Sequence, residues 1–278
     1  MENLQLKKIA NEVRKNIVTG LHSAKSGHPG GSLSAADMVT FLYYEEMNVD
    51  AKNPKNPNRD RFVLSKGHAA PVLYGVLAEK GFIPKEDIVT LRKPDSYLQG
   101  HPDMKHTPGV DMSSGSLGQG VSTAVGMALA GKMDHKDYRV YTLLGDGEIE
   151  EGQVWEAAMF AGHRKLDNLV VIVDNNNLQI DGTVEEVCSP YPIDKKFAAF
   201  NFHVIVINGH DFDEIRNALS EAKNTKGQPT AIIMNTVKGK GVSFMENQVN
   251  WHGAAPNDEQ FAVAMEELEK AGEALCQK

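Results

Sequence analysis

Two short polar clusters, about thirty residues apart, carry the first chemistry in this 278-residue chain. One is Gly145-Asp146-Gly147, which follows the apolar run YRVYTLL from Tyr138 to Leu144. The other is Asp174-Asn175-Asn176-Asn177, which follows LVVIV from Leu169 to Val173. Glycine amides at the start of a helix suit a phosphate. An aspartate carboxylate and an asparagine amide oxygen suit a hard cation. With one backbone carbonyl and two phosphate oxygens they would nearly complete an octahedral Mg2+ shell. Taken singly, each cluster also reads as an ordinary turn, the asparagines because they tolerate left-handed backbone. The pair at this spacing is the more specific signal. Four of the ten histidines add to it, because they sit among small residues in loops: SGHPGG (His28), SKGHAAP (His68), QGHPD (His101) and NWHGAAP (His252). Imidazoles brought close to a ligand can exchange protons near neutral pH.

Such loops need elements to position them. Leu6, Ile9, Val13, Ile17 and Leu21 recur every three or four residues, which predicts an amphipathic helix over Leu4 to Ala24. A second helix is expected from Ser34 to Met47, with Ser34 as its N-cap. Short segments follow: a strand at Arg61 to Leu64, a helix at Ala69 to Glu79 and a short helix at Ile88 to Arg92. The second half alternates more clearly. Strands are predicted at Tyr138–Leu144, Leu169–Val173, His203–Ile207 and Thr230–Met234. Helices are predicted at Val121–Lys132, Val154–Lys165, Phe212–Lys223 and Glu259–Lys270. Three of those strands are apolar but for a leading His203 or Thr230, as strands buried on both faces should be. The fold class is therefore α/β, a mostly parallel sheet with helices on both faces. In a right-handed crossover the loops of Asp146 and Asn176 emerge side by side, beyond the carboxyl ends of the strands.

Composition narrows the classes. Hydrophobic residues are 41% and charged residues 24%, the balance of a globular chain long enough to bury a core. The net charge of -8 lacks the basic excess of a nucleic-acid binder. Two cysteines, Cys188 and Cys276, exclude a disulfide framework and fit a reducing, cytoplasmic setting. No apolar run approaches the ~20 residues of a membrane span, and the N-terminus lacks a signal-peptide core. GxxxxGK[ST], an opening GxGxxG, HExxH and paired CxxC motifs are absent, so nucleotide and zinc sites have no anchor. Asp50 to Asp60, with two prolines and three asparagines, reads as a surface loop, so residues 1–278 are expected to form a single domain.

GDG followed about thirty residues later by NN resembles the thiamine diphosphate motif. The segment GDGEIEEGQVWEAAMFAGHRKLDNLVVIVDNNNLQIDG is similar to the transketolase family. The likeness runs from Ser26 to the WHGAAP segment and covers the N-terminal, diphosphate-binding part. It implies the thiamine diphosphate-binding fold, with thiamine diphosphate and Mg2+ as cofactors, Ca2+ or Mn2+ being able to substitute. It implies metal ligands at Asp146, Asn176 and the main-chain carbonyl of Leu178. His68, the Gly147 amide and Lys238 would contact the diphosphate. Gly115 and Leu117, in GSLGQG, would hold the aminopyrimidine, although many relatives carry proline where this chain has Ser116. His28, His101 and His252 would face the sugar and share proton transfer. Glu151 matches an acidic residue that reaches the subunit interface and links two active sites. The ordinary alternatives are an exposed lysine for Lys238 and a first-turn glutamate for Glu151.

In that family a second domain supplies a glutamate to the pyrimidine ring, and nothing here resembles it. The resemblance therefore implies the N-terminal subunit of a split transketolase. Its partner would be a separate C-terminal subunit carrying the pyrimidine domain, in a heterotetramer, with no nucleic acid and no membrane involved. The activity would be transfer of a two-carbon ketol unit from a ketose phosphate to an aldose acceptor. Rival readings are a 1-deoxyxylulose-5-phosphate synthase-like enzyme, the α chain of a 2-oxoacid dehydrogenase, and a non-catalytic regulatory subunit of the same fold. Some twenty residues between Gly182 and the next strand favour transketolase over the synthase, whose corresponding stretch is longer.

Overall fold

The computed structural model describes residues 1–277. A parallel sheet of five strands positions everything else. β1 (Arg61–Leu64), β2 (Val140–Gly145) and β3 (Leu169–Asn175) lie side by side in chain order. A two-stranded ribbon follows, formed by β4 (Leu178–Gln179) and β5 (Gly182–Thr183). β6 (His203–Asn208) then forms the far edge, and β7 (Thr230–Asn235) inserts between β3 and β6. All four pairings in the main sheet are parallel, and Gly145 registers with Asp174.

Side chains alternate across these strands, so each strand feeds two cores. On one face, Phe62, Leu64, Tyr141, Leu143, Val170 and Ile172 join the larger cluster. It is completed by α1 (Asn3–Ala24), α3 (Ala36–Phe41), α4 (Ala70–Lys80) and α9 (Phe212–Asn224), with α10 (Asp258–Cys276) on the outside. On the other face, Val63, Leu144, Val171 and Val173 pack against α5 (Gln119–Met133), α6 (Gly152–His163) and α8 (Ile193–Ala199). β2 and β3 are buried on both sides, which is why Val140–Leu144, but for Thr142, and Leu169–Val173 are apolar.

The structure differs from the sequence expectations at several points. The second helical run begins at α2 (Pro29–Ser34), five residues before the expected N-cap. Proline fits the first turn of a helix because its missing N–H has no partner there anyway. Ser34 is thus inside the run, and its hydroxyl bonds Asp174 rather than capping a helix. The run breaks at Ala35 and ends in a π turn, Leu42–Glu46. The short helix expected at Ile88–Arg92 is a 3-10 turn at Lys85–Thr90. β6 is apolar but lies at the sheet edge, leaving Val206 54% exposed. An apolar run alone does not tell an edge strand from a central one. The ribbon, α7 (Val184–Cys188) and α8 were not expected, being too short for periodicity to register.

Two helix glycines separate packing from propensity. A side chain at Gly162 of α6 would meet the Phe200 carbonyl at 1.9 Å, whereas one at Gly126 of α5 meets nothing within 4 Å. Gly126→Ala is expected to stabilise the isolated chain by about 0.5–1 kcal/mol through backbone entropy. Gly162→Ala is expected to cost about 1–3 kcal/mol through overpacking. Denaturant unfolding of both variants measures the opposite signs.

Candidate active site

The carboxyl ends of β1, β2, β3 and β7 open into one cavity of about 300 Å3. Every strand end contributes polar groups. Ser65 to His68 follow β1, Gly145 to Glu148 follow β2, Asp174 to Asn176 end β3, and Lys238 follows β7. A wider groove of about 720 Å3 runs between α1 and α10, but it shares no residue with this cavity.

The base of the site is an ion pair with no access to solvent. The Lys66 ammonium donates to Asp174 Oδ2 at 2.5 Å and to the Gly31 carbonyl at 2.7 Å. Both side chains are essentially fully buried. Asp174 also accepts from Ser34 Oγ at 2.5 Å, from Asn176 Nδ2 at 3.2 Å and from the Thr236 hydroxyl. Burial alone would raise the Asp174 carboxyl, but the Lys66 charge and these hydrogen bonds outweigh it and hold it below the usual carboxylate range. The carboxylate thereby ties together α2, the β1 end, Asn176 and the segment after β7.

Asp146 has the opposite balance. It is buried, and burial together with the charge of Asp174 pushes its carboxyl up to about 7. The amides of Asn177 (2.5 Å) and Gly147 (2.9 Å) and the Lys238 ammonium only partly offset this. A buried acid short of positive charge is what a cation site looks like before the cation arrives. Its neighbours fit. Asn176 is pinned by Asp174, and its Oδ1 accepts the Leu178 amide at 3.2 Å. The Leu178 carbonyl already attracts a cation, accepting from Lys238 Nζ at 2.6 Å.

Lys238 is buried, so the exposed alternative drops out. Burial lowers its ammonium to about 8. It also donates to His252 Nδ1 at 2.9 Å. Gly30 is packed on its stem, since a side chain there would meet Lys238 Cγ at 2.9 Å.

Three histidine rings close one wall. Centroids of His28 and His68 are 5.2 Å apart, of His28 and His252 5.5 Å, and of His68 and His252 5.3 Å. Burial, then the charge of neighbouring cations, lowers His28 to about 4 and His252 to about 3, and holds His68 well below its ordinary value. All three are neutral imidazoles at pH 7, able to accept a proton or share a hydroxyl. His28 Nδ1 is buried without a hydrogen-bond partner among the described residues, so its bonding capacity is free for a ligand.

Gly115 and Leu117 line the cavity opposite. Glu148 holds their loop: it accepts the Gly118 amide at 2.9 Å, Ser65 Oγ at 2.5 Å and the Gly145 amide at 3.1 Å. Gly118 has φ +79, a left-handed conformation that favours glycine.

The cavity thus gathers His28, His68, Gly115, Leu117, Asp146, Gly147, Asn176, Leu178, Lys238 and His252. Two expected residues stand outside its wall. His101 is exposed at the rim, where a side chain at Gly115 would come within 3.2 Å of its ring. Glu151 is exposed at the N-cap of α6, one position before the first turn. Sequence reasoning missed Lys66, Glu148 and Asp174. Their signals were a lysine two residues before His68, and acids in or beside the two polar clusters.

The profile of the family described as "Transketolase, thiamine diphosphate binding domain" matches residues 5–272. The 6-deoxy-6-sulfo-D-fructose transketolase subunit SqwG of Clostridium sp. (strain MSTE9) is 47% identical over 271 residues, spanning 98% of each chain. An apulose-4-phosphate transketolase subunit from Phocaeicola vulgatus is 44% identical, covering 99% of this chain and 97% of that protein. Transketolase of Mus musculus is 46% identical over 89% of this chain, but the match spans only 39% of the mouse protein. A crystal structure of transketolase from Campylobacter jejuni superposes with a TM-score of 0.91 at 36% identity, over 99% of this chain and 46% of that one.

Removing Lys66 leaves Asp174 as an unpaired buried charge. Lys66→Met is expected to destabilise the fold by about 3–5 kcal/mol, read as a drop in the midpoint of denaturant unfolding at pH 7.

Proposed function

The chain belongs to the transketolase family, as a thiamine diphosphate-binding domain, and we propose that it is the N-terminal subunit of a split transketolase. In this reading residues 1–278 form one diphosphate-binding domain. A separate C-terminal subunit supplies the pyrimidine domain, and two copies of each chain build a cytoplasmic heterotetramer with two active sites. The end-to-end match to proteins named as transketolase subunits carries the reading. No helix among the described residues is long and apolar enough to cross a membrane, and Met159, Phe160 and Ile180 are exposed apolar groups available to a protein partner.

The reaction proposed is transfer of a two-carbon ketol unit from a ketose phosphate to an aldose acceptor. Bound thiamine diphosphate supplies the nucleophilic carbon and the electron sink for carbon–carbon cleavage. This chain's residues hold and orient. Asp146, Asn176 Oδ1 and the Leu178 carbonyl offer three oxygen ligands to Mg2+, a set that suits a hard cation. Lys238 and His68 line the cavity where they would meet the diphosphate charge, and the Gly147 amide, which here donates to Asp146, would turn to it. The Gly115–Leu117 loop bears on the pyrimidine ring. His28 and His252, kept neutral beside Lys238, accept and return protons at the sugar hydroxyls, with His101 closing the rim. Glu151, exposed at the start of α6, serves the subunit interface.

Purified alone, the chain is expected to turn over no substrate when supplied with thiamine diphosphate, Mg2+, a ketose phosphate and an aldose. Adding the C-terminal subunit should restore activity. Robust turnover by the isolated chain would refute the split arrangement.

The titration of Asp146 adds a second expectation. Mg2+ needs the carboxylate, and the free carboxyl protonates below about pH 7. Mg2+-dependent cofactor affinity should therefore rise with pH up to about 7 and fall again above about 8, where the Lys238 ammonium loses its proton. Below about pH 7 it should fall about ten-fold per unit. Calorimetry across this range checks the slope, and Asp146→Ala should abolish the Mg2+-dependent binding itself.

A further inference from the structure

Behind the cavity lies a second cluster of charged and titratable side chains. Its core is Arg14 of α1, Asp37 of α3 and His210 of the loop between β6 and α9. None of the three lines the cavity. Arg14 grips Asp37 with both terminal nitrogens, at 3.0 and 2.7 Å. His210 Nδ1 lies 2.8 Å from the same carboxylate. His210 Nε2 accepts the backbone N–H of Val237 at 2.9 Å. Arg14 Nε donates to the Lys240 carbonyl at 3.0 Å.

The proton positions follow from the partners. A backbone N–H can only donate, so Nε2 must be bare. Asp37 is held down to about 2: burial would raise it, but Arg14 and His210 outweigh that. A carboxylate can only accept, so Nδ1 carries the proton. Each donor nitrogen of this relay thus has an acceptor: Arg14 Nε, Nη1 and Nη2, His210 Nδ1 and Val237 N. Its two ends grip one short segment, at Val237 and at Lys240. Lys238 lies between those two points, with its ammonium on the Leu178 carbonyl and His252.

We propose that the Arg14–Asp37–His210 relay is a positioning device for Lys238, clamping the backbone on both sides of it so that the ammonium meets the diphosphate in one orientation. The proposal rests on the reading of Lys238 as a diphosphate ligand. His210 is a positioning residue and touches no substrate. The geometry suits a histidine at position 210. The ring has one donor and one acceptor nitrogen pointing apart, which reach the Asp37 carboxylate and the Val237 amide at the same time.

Two substitutions separate its two hydrogen bonds. His210→Asn can keep a donor toward Asp37 but loses the acceptor for Val237. His210→Gln can keep an acceptor toward Val237 but loses the donor. Thiamine diphosphate affinity is measured on the complex reconstituted with the C-terminal subunit, at saturating Mg2+. His210→Asn is expected to raise the Kd about ten-fold, the cost of one buried amide left unpaired. His210→Gln should stay within about two- to three-fold of the unaltered complex.

A double-mutant cycle then asks whether the effect passes through Lys238. In a Lys238→Met background, His210→Asn should change the Kd little further. If it costs the same factor in both backgrounds, or if thermal stability falls while affinity is unchanged, the clamp is merely structural and the proposal is overturned. An unaltered complex that binds no thiamine diphosphate would instead refute the reading of the site on which the proposal rests.

Discussion

Asp174 is the constraint around which this chain is arranged. A carboxylate with no solvent exposure is tolerable only if its charge is matched and its lone pairs are filled. Lys66, Ser34, Asn176 and Thr236 do this, and they come from four separate parts of the chain. Satisfying one anion therefore fixes the relative positions of α2, the β1 end, the β3 end and the β7 end. These are the same segments that carry His28, His68, Asn176 and Lys238. The cavity wall is a by-product of solving a desolvation problem beneath it.

Above that base the electrostatics change sign. Asp174 keeps its charge, but burial and that charge together make its neighbour Asp146 reluctant to ionise. Burial keeps the three histidines neutral, reinforced by the charge of Lys238 and, at His68 and His252, by that of Lys66. The free site is thus poised to take up both a cation, at Asp146, and an anion, at Lys238. A metal-bound diphosphate brings the two together, and each would relieve the electrostatic imbalance left in the other's absence. Glu148 adds a third buried acid, committed to two backbone amides and the Ser65 hydroxyl, which locks the Gly115–Gly118 loop against the end of β2.

Much of this was legible before any fold was known. The apolar runs of β2 and β3 declared themselves as buried strands, because central parallel strands need apolar side chains on both faces. Asp146 and Asn176 could be paired, because a right-handed crossover places consecutive strand ends together. What failed to register was either short or dependent on distant partners. Ser34 looks like a helix cap, because serine usually is one. Only Asp174, far along the chain, gives its hydroxyl another task. Lys66 and Glu148 look like surface charges. Lys238, in TVKGKG, could equally be an exposed lysine by sequence, and it is buried with its stem packed against Gly30.

The sequence by itself determined the local parts: which segments are strands, which loops carry oxygen and nitrogen ligands, and which histidines sit among small residues. These depend on near neighbours, and periodicity and turn chemistry report them. The tertiary structure alone decided the strand order, with β7 inserted beside β3, and the meeting of His28, His68 and His252. It also decided the charge state of each buried group and the clamp that joins Arg14 to Val237 through Asp37 and His210. Those properties are sums over residues far apart in the chain. Desolvation and Coulomb interactions act through space, so a linear reading sees the groups but not the balance between them.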